Sequence, residues 1–335
     1  MTQFIANRQG SRLYKEGERL VVRQGDDEVE SLPLGPLQQV VLCGRGVSVS
    51  TPLLYDLVRR GIDVVYQSLS GRYAFRIAGP LSKHSALRVQ QVLVVTDPAR
   101  ALPLARAVVT GKLYNQAVVL RAYADDLDQQ GRGALAVLVQ QMRQAREAGS
   151  IESLRGHEGS GAAAYFAAWA SLFDAARWGF EGRAYHPPPD AVNAMLSFGY
   201  TLLLNEVVGA LYRIGLDPDV GFYHTLDYGR PSLASDMEEE FRPAVVDRLV
   251  LRLLREASLD PATHFQGSDG RPGTQMTDEM RRFYLERYEE QMAVRIGYPA
   301  QGNRQSYRQL VQRQAEHLAR CILGHDEEYV PLEIR

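Results

Sequence analysis

Cysteine and lysine are both scarce in this chain of 335 residues. Its two cysteines, Cys43 and Cys321, are too few for a disulfide framework or a cysteine-based zinc site, which favours a reducing, cytoplasmic location. Only three lysines occur, so most of the 38 basic residues are arginines, a bias that a GC-rich genome is sufficient to explain. The formal net charge of −2 also lacks the basic excess that is usual in DNA-binding domains.

Long apolar runs and common motifs are missing as well. The N-terminus MTQFIANRQG has no basic segment followed by an apolar one, and no stretch approaches the roughly 18 uninterrupted apolar residues of a membrane span. Secretion and membrane insertion are therefore not expected. The motifs GxxxxGK[ST], GxGxxG, HExxH and GxSxG are absent too, which disfavours nucleotide hydrolysis and hydride transfer.

The distribution of strand and helix signals predicts two domains in an α+β chain. The first eighty residues contain β-favouring runs at 12–24 and 38–43, a short helix begun by Ser50 and Pro52, and a hairpin of 62–67 and 73–77. After them, apolar residues recur at helical spacing, with glycine and proline breaks at 156–161, 187–189, 215–221 and 267–273. This pattern predicts a small β-rich N-terminal domain, 1–82, and a larger all-α domain, 83–335, with a mobile loop at 264–275.

The most unusual segment lies between residues 221 and 250. There His224 is followed by four carboxylates within five residues: Asp236, Glu238, Glu239 and Glu240. If a helix begins near Ser235, Asp236 and Glu239 lie on one face, and carboxylates with one imidazole suit Mg²⁺ or Mn²⁺. The alternative is a solvated helix N-terminus, where acids complement the helix dipole, beside a packed loop histidine.

A further metal ligand is expected from another part of the chain. In the segment RGHEGSGAAAYF, Glu158 stands at the predicted start of a helix rich in small residues. The same residue would also be favoured there simply as an acid in a first helical turn, and spacing does not choose between the two roles. Farther on, a proline triplet precedes Asp190, the predicted N-cap of an amphipathic helix.

Several separate segments, in order, resemble one known family. They include VVLCGRGVSVSTPLLYDLVRRGIDVVYQSLSGRYAFRI, ARAVVTGKLYNQ, RGHEGSGAAAYF, RPSLASDMEEEFRP and SYRQLVQRQAEHLARCILG. Together they span nearly the whole chain and resemble the CRISPR-associated integrase of spacer acquisition, the Cas1 family. The resemblance implies a β-rich N-terminal dimerisation domain and an α-helical catalytic domain. It also implies a homodimer, and two such dimers flanking a central Cas2 dimer on spacer-precursor and repeat DNA.

The resemblance also implies a site and a reaction. Glu158, His224 and Glu239 correspond to the family's metal ligands and catalytic residues, with Mg²⁺ or Mn²⁺ as cofactor. Asp236 is an accessory ligand, an orienting group or the alternative third ligand. The reaction is integration of spacer DNA by transesterification, in which a 3′ hydroxyl attacks a phosphodiester. The rival functions are a stand-alone metal-dependent nuclease or resolvase of branched DNA and a non-catalytic DNA-binding scaffold, which is favoured if Glu158 and His224 lie far apart.

Arginines near the site and in the N-terminal domain are the predicted DNA contacts. Arg230 and Arg242 flank the acidic segment, although Arg242 has the spacing to pair with Glu238 or Glu239. Arg59, Arg60 and Arg72 rank after them. A weaker group of polar residues falls in segments similar to family motifs: Arg88, Lys112, Asn115, Gln116, Arg183, Asn193 and Tyr200.

Overall fold

Two four-stranded sheets form the N-terminal part of the computed structural model, which describes residues 2–68, 73–77, 79, 84–184, 187–225, 227–256, 258–267, 272–297 and 304–335. The chain separates into two units, Met1–Lys83 and His84–Arg335. The elements of the first unit are β1 (Thr2–Ala6), β2 (Ser11–Glu16), β3 (Arg19–Gln24), β4 (Asp27–Pro33), β5 (Leu37–Cys43), β6 (Ser48–Val49), α1 (Thr51–Arg59), β7 (Asp63–Gln67) and β8 (Tyr73–Ile77).

The two sheets of the first unit have the strand orders β1-β5-β7-β8 and β4-β3-β2-β6. Strands β1, β5 and β7 run parallel, whereas β8 pairs with β7 and β2 pairs with β3 in antiparallel fashion. Leucines and valines from both sheets and from α1 form one core, including Leu13, Val40 and Leu53. On β2, Lys15 Nζ lies 3.0 Å from Asp56 Oδ2 of α1, so an ion pair joins that helix to its sheet.

Helices dominate the second unit, which confirms the predicted change from a strand-rich to a helical part. They are α2 (Ser85–Val95), α3 (Pro98–Arg121), α4 (Gln129–Arg146), α5 (Ile151–Ala170), α6 (Ala175–Trp178), α7 (Ala191–Ile214), α8 (Ser232–Glu238), a π-helical turn (Pro243–Asp247), α9 (Arg248–Arg255), α10 (Pro261–His264), α11 (Asp278–Ala293) and α12 (Tyr307–Ile322).

The prediction of an all-α second domain needs one correction. Two short antiparallel hairpins occur there, β9 (Phe265–Gly267) with β10 (Thr274–Met276), and β11 (Arg295–Gly297) with β12 (Arg304–Ser306). The first hairpin takes up most of the described part of the segment 264–275, for which we predicted a loop, while 268–271 lie outside the described residues. Strands of three residues are too short to show the alternation of apolar and polar residues by which a strand is recognised in a sequence.

The predicted helix break at 156–161 is wrong, because α5 passes through it without interruption. Glycine normally weakens a helix interior, but here it permits close packing. A Cβ atom added at Gly161 would lie 2.5 Å from Leu113 Cδ2 of α3, so any larger residue here would require the Leu113 side chain or the helix to move. Glu158 consequently lies in the middle of α5, two turns after its N-cap Ser150, and does not begin the helix.

Helix α7 is the central helix of the second unit. The predicted N-cap is confirmed, since Asp190 Oδ1 accepts a hydrogen bond from the Asn193 N–H at 2.8 Å. The predicted amphipathic character is wrong, because buried residues surround the helix on nearly every side. By length and composition alone α7 could cross a membrane, but 72% of its most apolar window is buried inside the protein, as in the core helix of a soluble protein.

Candidate metal centre

All four carboxylates of the acidic segment are buried, each with at most 2% of its surface exposed. The alternative of a solvated helix end is therefore wrong. Helix α8 begins at Ser232, three residues before the predicted start, so the four acids occupy its last turn and the turn that follows. Successive residues of a helix point in directions about 100° apart, so each acid has different partners.

Asp236 supports the loop that carries His224. Its Oδ2 accepts hydrogen bonds from the backbone N–H groups of Phe222 and Tyr223 at 2.7 and 3.0 Å. Its Oδ1 accepts one from the N–H of His224 at 2.8 Å and lies 2.7 Å from the imidazole Nδ1. With both oxygens engaged by four donors, Asp236 is placed to orient the histidine, and this geometry opposes its use as a metal ligand.

The loop also approaches α8 very closely. A Cβ atom at Gly221 would lie 2.6 Å from the backbone carbon of Ser232 and 2.7 Å from Asp236 Oδ2. Because one of these neighbours is backbone, a side chain at Gly221 would require the loop or the helix to move. Glycine at this position therefore fixes the distance between the His224 loop and the carboxylate beneath it.

Glu239 and Glu158 contact the same cation, Lys112 of α3. The Lys112 ammonium lies 2.6 Å from Glu239 Oε2 and is hydrogen-bonded to Glu158 Oε1. The second oxygen of Glu158 accepts a hydrogen bond from the Tyr223 hydroxyl at 2.9 Å. Oε1 of Glu239 accepts one from Arg242 at 2.5 Å and lies 3.8 Å from His224 Nε2.

The residues present fit a divalent cation, although they do not form a closed ligand set. Among the described residues, the contact of Glu239 Oε2 is the Lys112 ammonium, and no hydrogen bond reaches His224 Nε2. Two carboxylates and one imidazole nitrogen are the donor types that Mn²⁺ accepts. Their ligand atoms do not all lie within 4.8 Å of one another, because the Lys112 ammonium separates the two glutamates.

The two adjacent glutamates differ in charge. Burial alone would raise the pKa of Glu239, but Arg242 and Lys112 lower it to about 2, so this carboxylate is ionised at neutral pH. Burial raises the pKa of Glu238 to about 7, even though Arg242 donates to it at 2.8 Å. Glu239, the residue that faces Lys112 and His224, is therefore the more fully ionised of these two glutamates at neutral pH.

A cleft of about 500 Å³ adjoins this cluster. Small residues of α5, such as Gly159 and Ala163, form part of its wall, and Arg183, Tyr200 and Arg242 form another. Both guanidinium groups lie over the Tyr200 ring, at 5.3 and 4.8 Å from its centroid. The Tyr200 hydroxyl donates to Asp247 at 2.5 Å, which fixes the ring between the two arginines.

Comparison with known proteins identifies the family of this chain. The family model described as CRISPR associated protein Cas1 matches residues 4–290. A CRISPR-associated endonuclease Cas1 of Thermus thermophilus is 36% identical over 327 residues, which cover 96% of this chain and 94% of that protein. The chain belongs to the Cas1 family. A second Cas1 endonuclease, from Chlorobaculum tepidum, is also 36% identical and covers 98% of this chain and 97% of that protein.

Solved structures show that the Cas1 fold extends over the whole chain. A CAS1 protein from Thermotoga maritima superposes with a TM-score of 0.80 at 23% identity and covers 99% of this chain and 100% of that one. A casposase bound to an integration product superposes with a TM-score of 0.85 at 19% identity, covering 100% of this chain and 95% of that one. At 19 and 23% sequence identity, these superpositions support a shared fold.

The arginines predicted to contact DNA occupy different environments in this Cas1 chain. Arg242 is partly buried and pairs with Glu238 and Glu239, whereas Arg230 keeps 42% of its side chain exposed. In the first unit, the Arg59 side chain is 67% exposed, and Arg60 pairs with Glu18 and Asp56. Arg72 lies outside the described residues.

Lys112 and Tyr223 are the two site residues whose position the sequence did not predict. Lys112 belonged to the weaker group of polar residues, and Tyr223 was only an aromatic neighbour of His224. One signal was available, because Lys112 is one of just three lysines and the segment before it, AVVTG, carries no charge. His157, next to Glu158, points elsewhere and makes a 2.8 Å contact with Gln141.

A second cluster of ligand-type side chains lies at the end of α12. In the described part of the chain, His317, Cys321 and Asp326 are the group whose ligand atoms all lie within 4.8 Å of one another. Both ring nitrogens of His317 are already engaged, Nδ1 with Asp326 at 3.1 Å and Nε2 with the Val330 N–H at 3.0 Å. The cluster therefore serves to attach the C-terminal segment to α12.

Proposed function

We propose that this Cas1 chain is a metal-dependent DNA endonuclease and integrase that inserts spacer DNA into a CRISPR array. The observation that carries the proposal is that Glu158 from α5 and Glu239 from the end of α8 meet at the Lys112 ammonium, and that His224 of the loop before α8 places Nε2 3.8 Å from Glu239 Oε1. We assign these three residues as the catalytic ligands of Mg²⁺ or Mn²⁺. Asp236 is assigned the orienting role behind His224.

The chemistry is an in-line exchange of phosphodiester bonds. The 3′ oxygen of the spacer precursor bonds to a phosphorus atom of the repeat, and the 3′ oxygen of the cleaved strand leaves with a proton. The number of phosphodiester bonds is unchanged, so no nucleotide hydrolysis is needed. A divalent cation bound here would lower the pKa of the attacking hydroxyl and stabilise charge on the non-bridging oxygens.

The residues of the chain prepare the site for this exchange. Asp236 fixes the His224 ring so that Nε2 faces Glu239. The Tyr223 hydroxyl holds one oxygen of Glu158, and Arg242 holds one oxygen of Glu239, so each carboxylate keeps its other oxygen toward the Lys112 ammonium. Because these side chains are already oriented, less entropy is lost when the reacting atoms are aligned in the bound complex.

The partners we propose are DNA, a second copy of this chain and Cas2. A structure described as a Cas6-RT-Cas1–Cas2 complex shares the fold with a TM-score of 0.80, and the casposase of similar fold is described as bound to its integration product. Because the net charge is only −2 and phosphate contacts dominate DNA affinity, a basic surface assembled from several subunits suits this chain. We assign dimerisation to residues 1–82, catalysis to 83–335, and the cytoplasm as the location.

The deciding experiment is strand transfer of a short duplex with free 3′ hydroxyls into a supercoiled plasmid that carries a repeat. Wild type and His224→Ala are compared with Cas2 present, in Mn²⁺ or in EDTA. We expect joining only in Mn²⁺ and only by wild type. Cleavage without joining would instead indicate a stand-alone nuclease, and DNA binding without either reaction would indicate a scaffold.

A further inference from the structure

Lys112 occupies the point at which Glu158 and Glu239 converge. It is only 8% exposed, and its ammonium contacts one oxygen of each carboxylate. A lysine side chain is cationic at neutral pH. The Lys112 ammonium therefore places a positive charge between the two groups assigned as metal ligands.

The positive charge of Lys112 stabilises the two neighbouring carboxylates. Two carboxylates that approach each other where little water reaches them repel each other and lose hydration, and both effects are unfavourable unless a cation compensates them. Lys112 and Arg242 compensate this cost at Glu239, and Lys112 compensates it at Glu158. An ammonium and a divalent cation cannot both occupy the space between the same two oxygens.

We infer that Lys112 is an internal counter-ion that a divalent cation must displace, and that the displaced ammonium turns into the adjoining cleft to pair with a phosphate oxygen of bound DNA. The inference rests on the proposed metal centre. The cleft is suited to receive the ammonium because Lys112 itself contributes to its wall, together with Arg183 and Arg242. Lys112 is thus a positioning residue that keeps the ligands together before the ion arrives.

Amine labelling of the wild-type protein tests the displacement directly. The three lysines can be distinguished by peptide mass spectrometry after brief acetylation with an activated ester, with and without Mn²⁺. We expect Lys112 to be protected without the ion and to be labelled at least about threefold faster with it, because it leaves its buried ion pairs. Lys15, which pairs with Asp56, is the internal reference and should not change.

Direct measurement of Mn²⁺ binding tests the competition. We expect Lys112→Met, which keeps an unbranched side chain one atom shorter and removes its charge, to lower the Mn²⁺ dissociation constant about tenfold or more, as read from the free-ion EPR signal. Without the ion this variant should melt at a lower temperature than wild type, and Mn²⁺ should raise its melting temperature more. Lys15→Met removes an ammonium from another buried carboxylate and should leave Mn²⁺ affinity unchanged.

Three further outcomes separate the possible failures. Lys112→Arg should bind Mn²⁺ no more tightly than wild type, because it retains the charge. If wild type binds Mn²⁺ and Glu158→Gln does not, but Lys112 labelling is unaffected by the ion, the inference is wrong while the metal centre stands. If wild type binds no Mn²⁺ at all, the proposed metal centre itself fails.

Discussion

Nδ1 of His224 and Oδ1 of Asp236 lie 2.7 Å apart, and the backbone N–H of the same histidine donates to the same oxygen at 2.8 Å. A buried carboxylate in this position favours the tautomer with the proton on Nδ1. The lone pair of the ring is then on Nε2, the nitrogen nearer Glu239. One residue of α8 thus sets the chemistry available to a residue of the preceding loop.

Asp236→Asn should weaken metal binding without removing a ligand. The amide cannot accept all four hydrogen bonds that the carboxylate accepts, so the 222–224 turn and the His224 ring lose their fixed orientation. We expect Mn²⁺ affinity to fall about 10- to 100-fold, which is typical for loss of a group that orients a metal ligand. EPR titration measures the change, and the exposed acid Asp227, changed to Asn, is the matched control from the same loop. Equal affinity in Asp236→Asn and wild type would refute the orienting role.

Gly221→Ala should have a similar effect by steric means. The added methyl group meets the backbone of Ser232 and an oxygen of Asp236, so the loop must shift away from α8. We expect lower Mn²⁺ affinity together with a lower melting temperature. Gly159→Ala is the control, because nothing lies within 4 Å of a Cβ at that position. An unchanged affinity in Gly221→Ala would mean that the loop tolerates movement.

Arg242→Ala should reduce stability more than it reduces DNA affinity. The substitution leaves the buried carboxylates of Glu238 and Glu239 without their cation, and breaking a buried ion pair costs about 3–5 kcal/mol. Chemical denaturation measures the change in the free energy of unfolding. A loss below about 1 kcal/mol would show that these carboxylates find other partners.

Arg230→Ala should show the opposite behaviour. The side chain is exposed and has only a 3.7 Å contact with Asp227, so stability should change little. If the exposed guanidinium binds a phosphate, its removal should weaken DNA binding for all sequences alike and reduce the salt slope by about 1. Binding titrations at several salt concentrations, with Cas2 present, measure both quantities. An unaltered slope would remove Arg230 from the DNA-binding surface.

Asp247 gives the protein a defined dependence of stability on pH. Burial raises the pKa of its carboxyl from 3.8 to about 6, even though the Tyr200 hydroxyl donates to it. The folded state therefore holds this proton more tightly than the unfolded state, and stability falls as pH rises from about 4 to 6. Above about pH 6 the ionisation of Asp247 lowers the free energy of unfolding by about 3 kcal/mol, and below about pH 4 this loss is absent.

Asp247→Asn isolates this contribution. Urea denaturation of both proteins at pH 4.5 and 7.5 gives the difference in unfolding free energy between variant and wild type, from which all other titrating groups cancel. We expect the variant to become more stable relative to wild type as pH rises. A difference that does not depend on pH would show that Asp247 has an ordinary pKa in the folded protein.

The order of elements was largely accessible from the sequence. A local pattern contains the strand runs, the N-cap Asp190 and the onset of helical periodicity, because these depend on neighbours in sequence. Ser50 stands at the N-cap position of α1, but its side chain makes no capping hydrogen bond. Helix α5 was misjudged because glycines such as those at 156–161 normally weaken a helix. Of these, Gly161 packs closely against Leu113 of α3, a contact between distant parts of the chain that no local pattern contains.

The sequence identified the residues of the candidate site but not their burial or their hydrogen-bond partners. The resemblance to Cas1 proteins singled out Glu158, His224 and Glu239, but the burial of the acidic segment depends on partners distant in the chain. Glu240, for example, accepts hydrogen bonds from the Tyr329 hydroxyl at 2.7 Å and the Leu332 N–H at 2.6 Å. The place of Lys112 between two glutamates likewise required three helices to be packed first.

The acidic segment also limits how the gene can change. Asp236 and Glu240 have partners of their own, Glu238 and Glu239 share Arg242, and successive residues of this turn point about 100° apart. A point substitution therefore removes the contacts of one carboxylate, whereas deletion or insertion of one codon between positions 236 and 240 would rotate every following carboxylate toward the wrong neighbour. The number of residues between positions 236 and 240 is therefore more tightly constrained than the identity of any one of them.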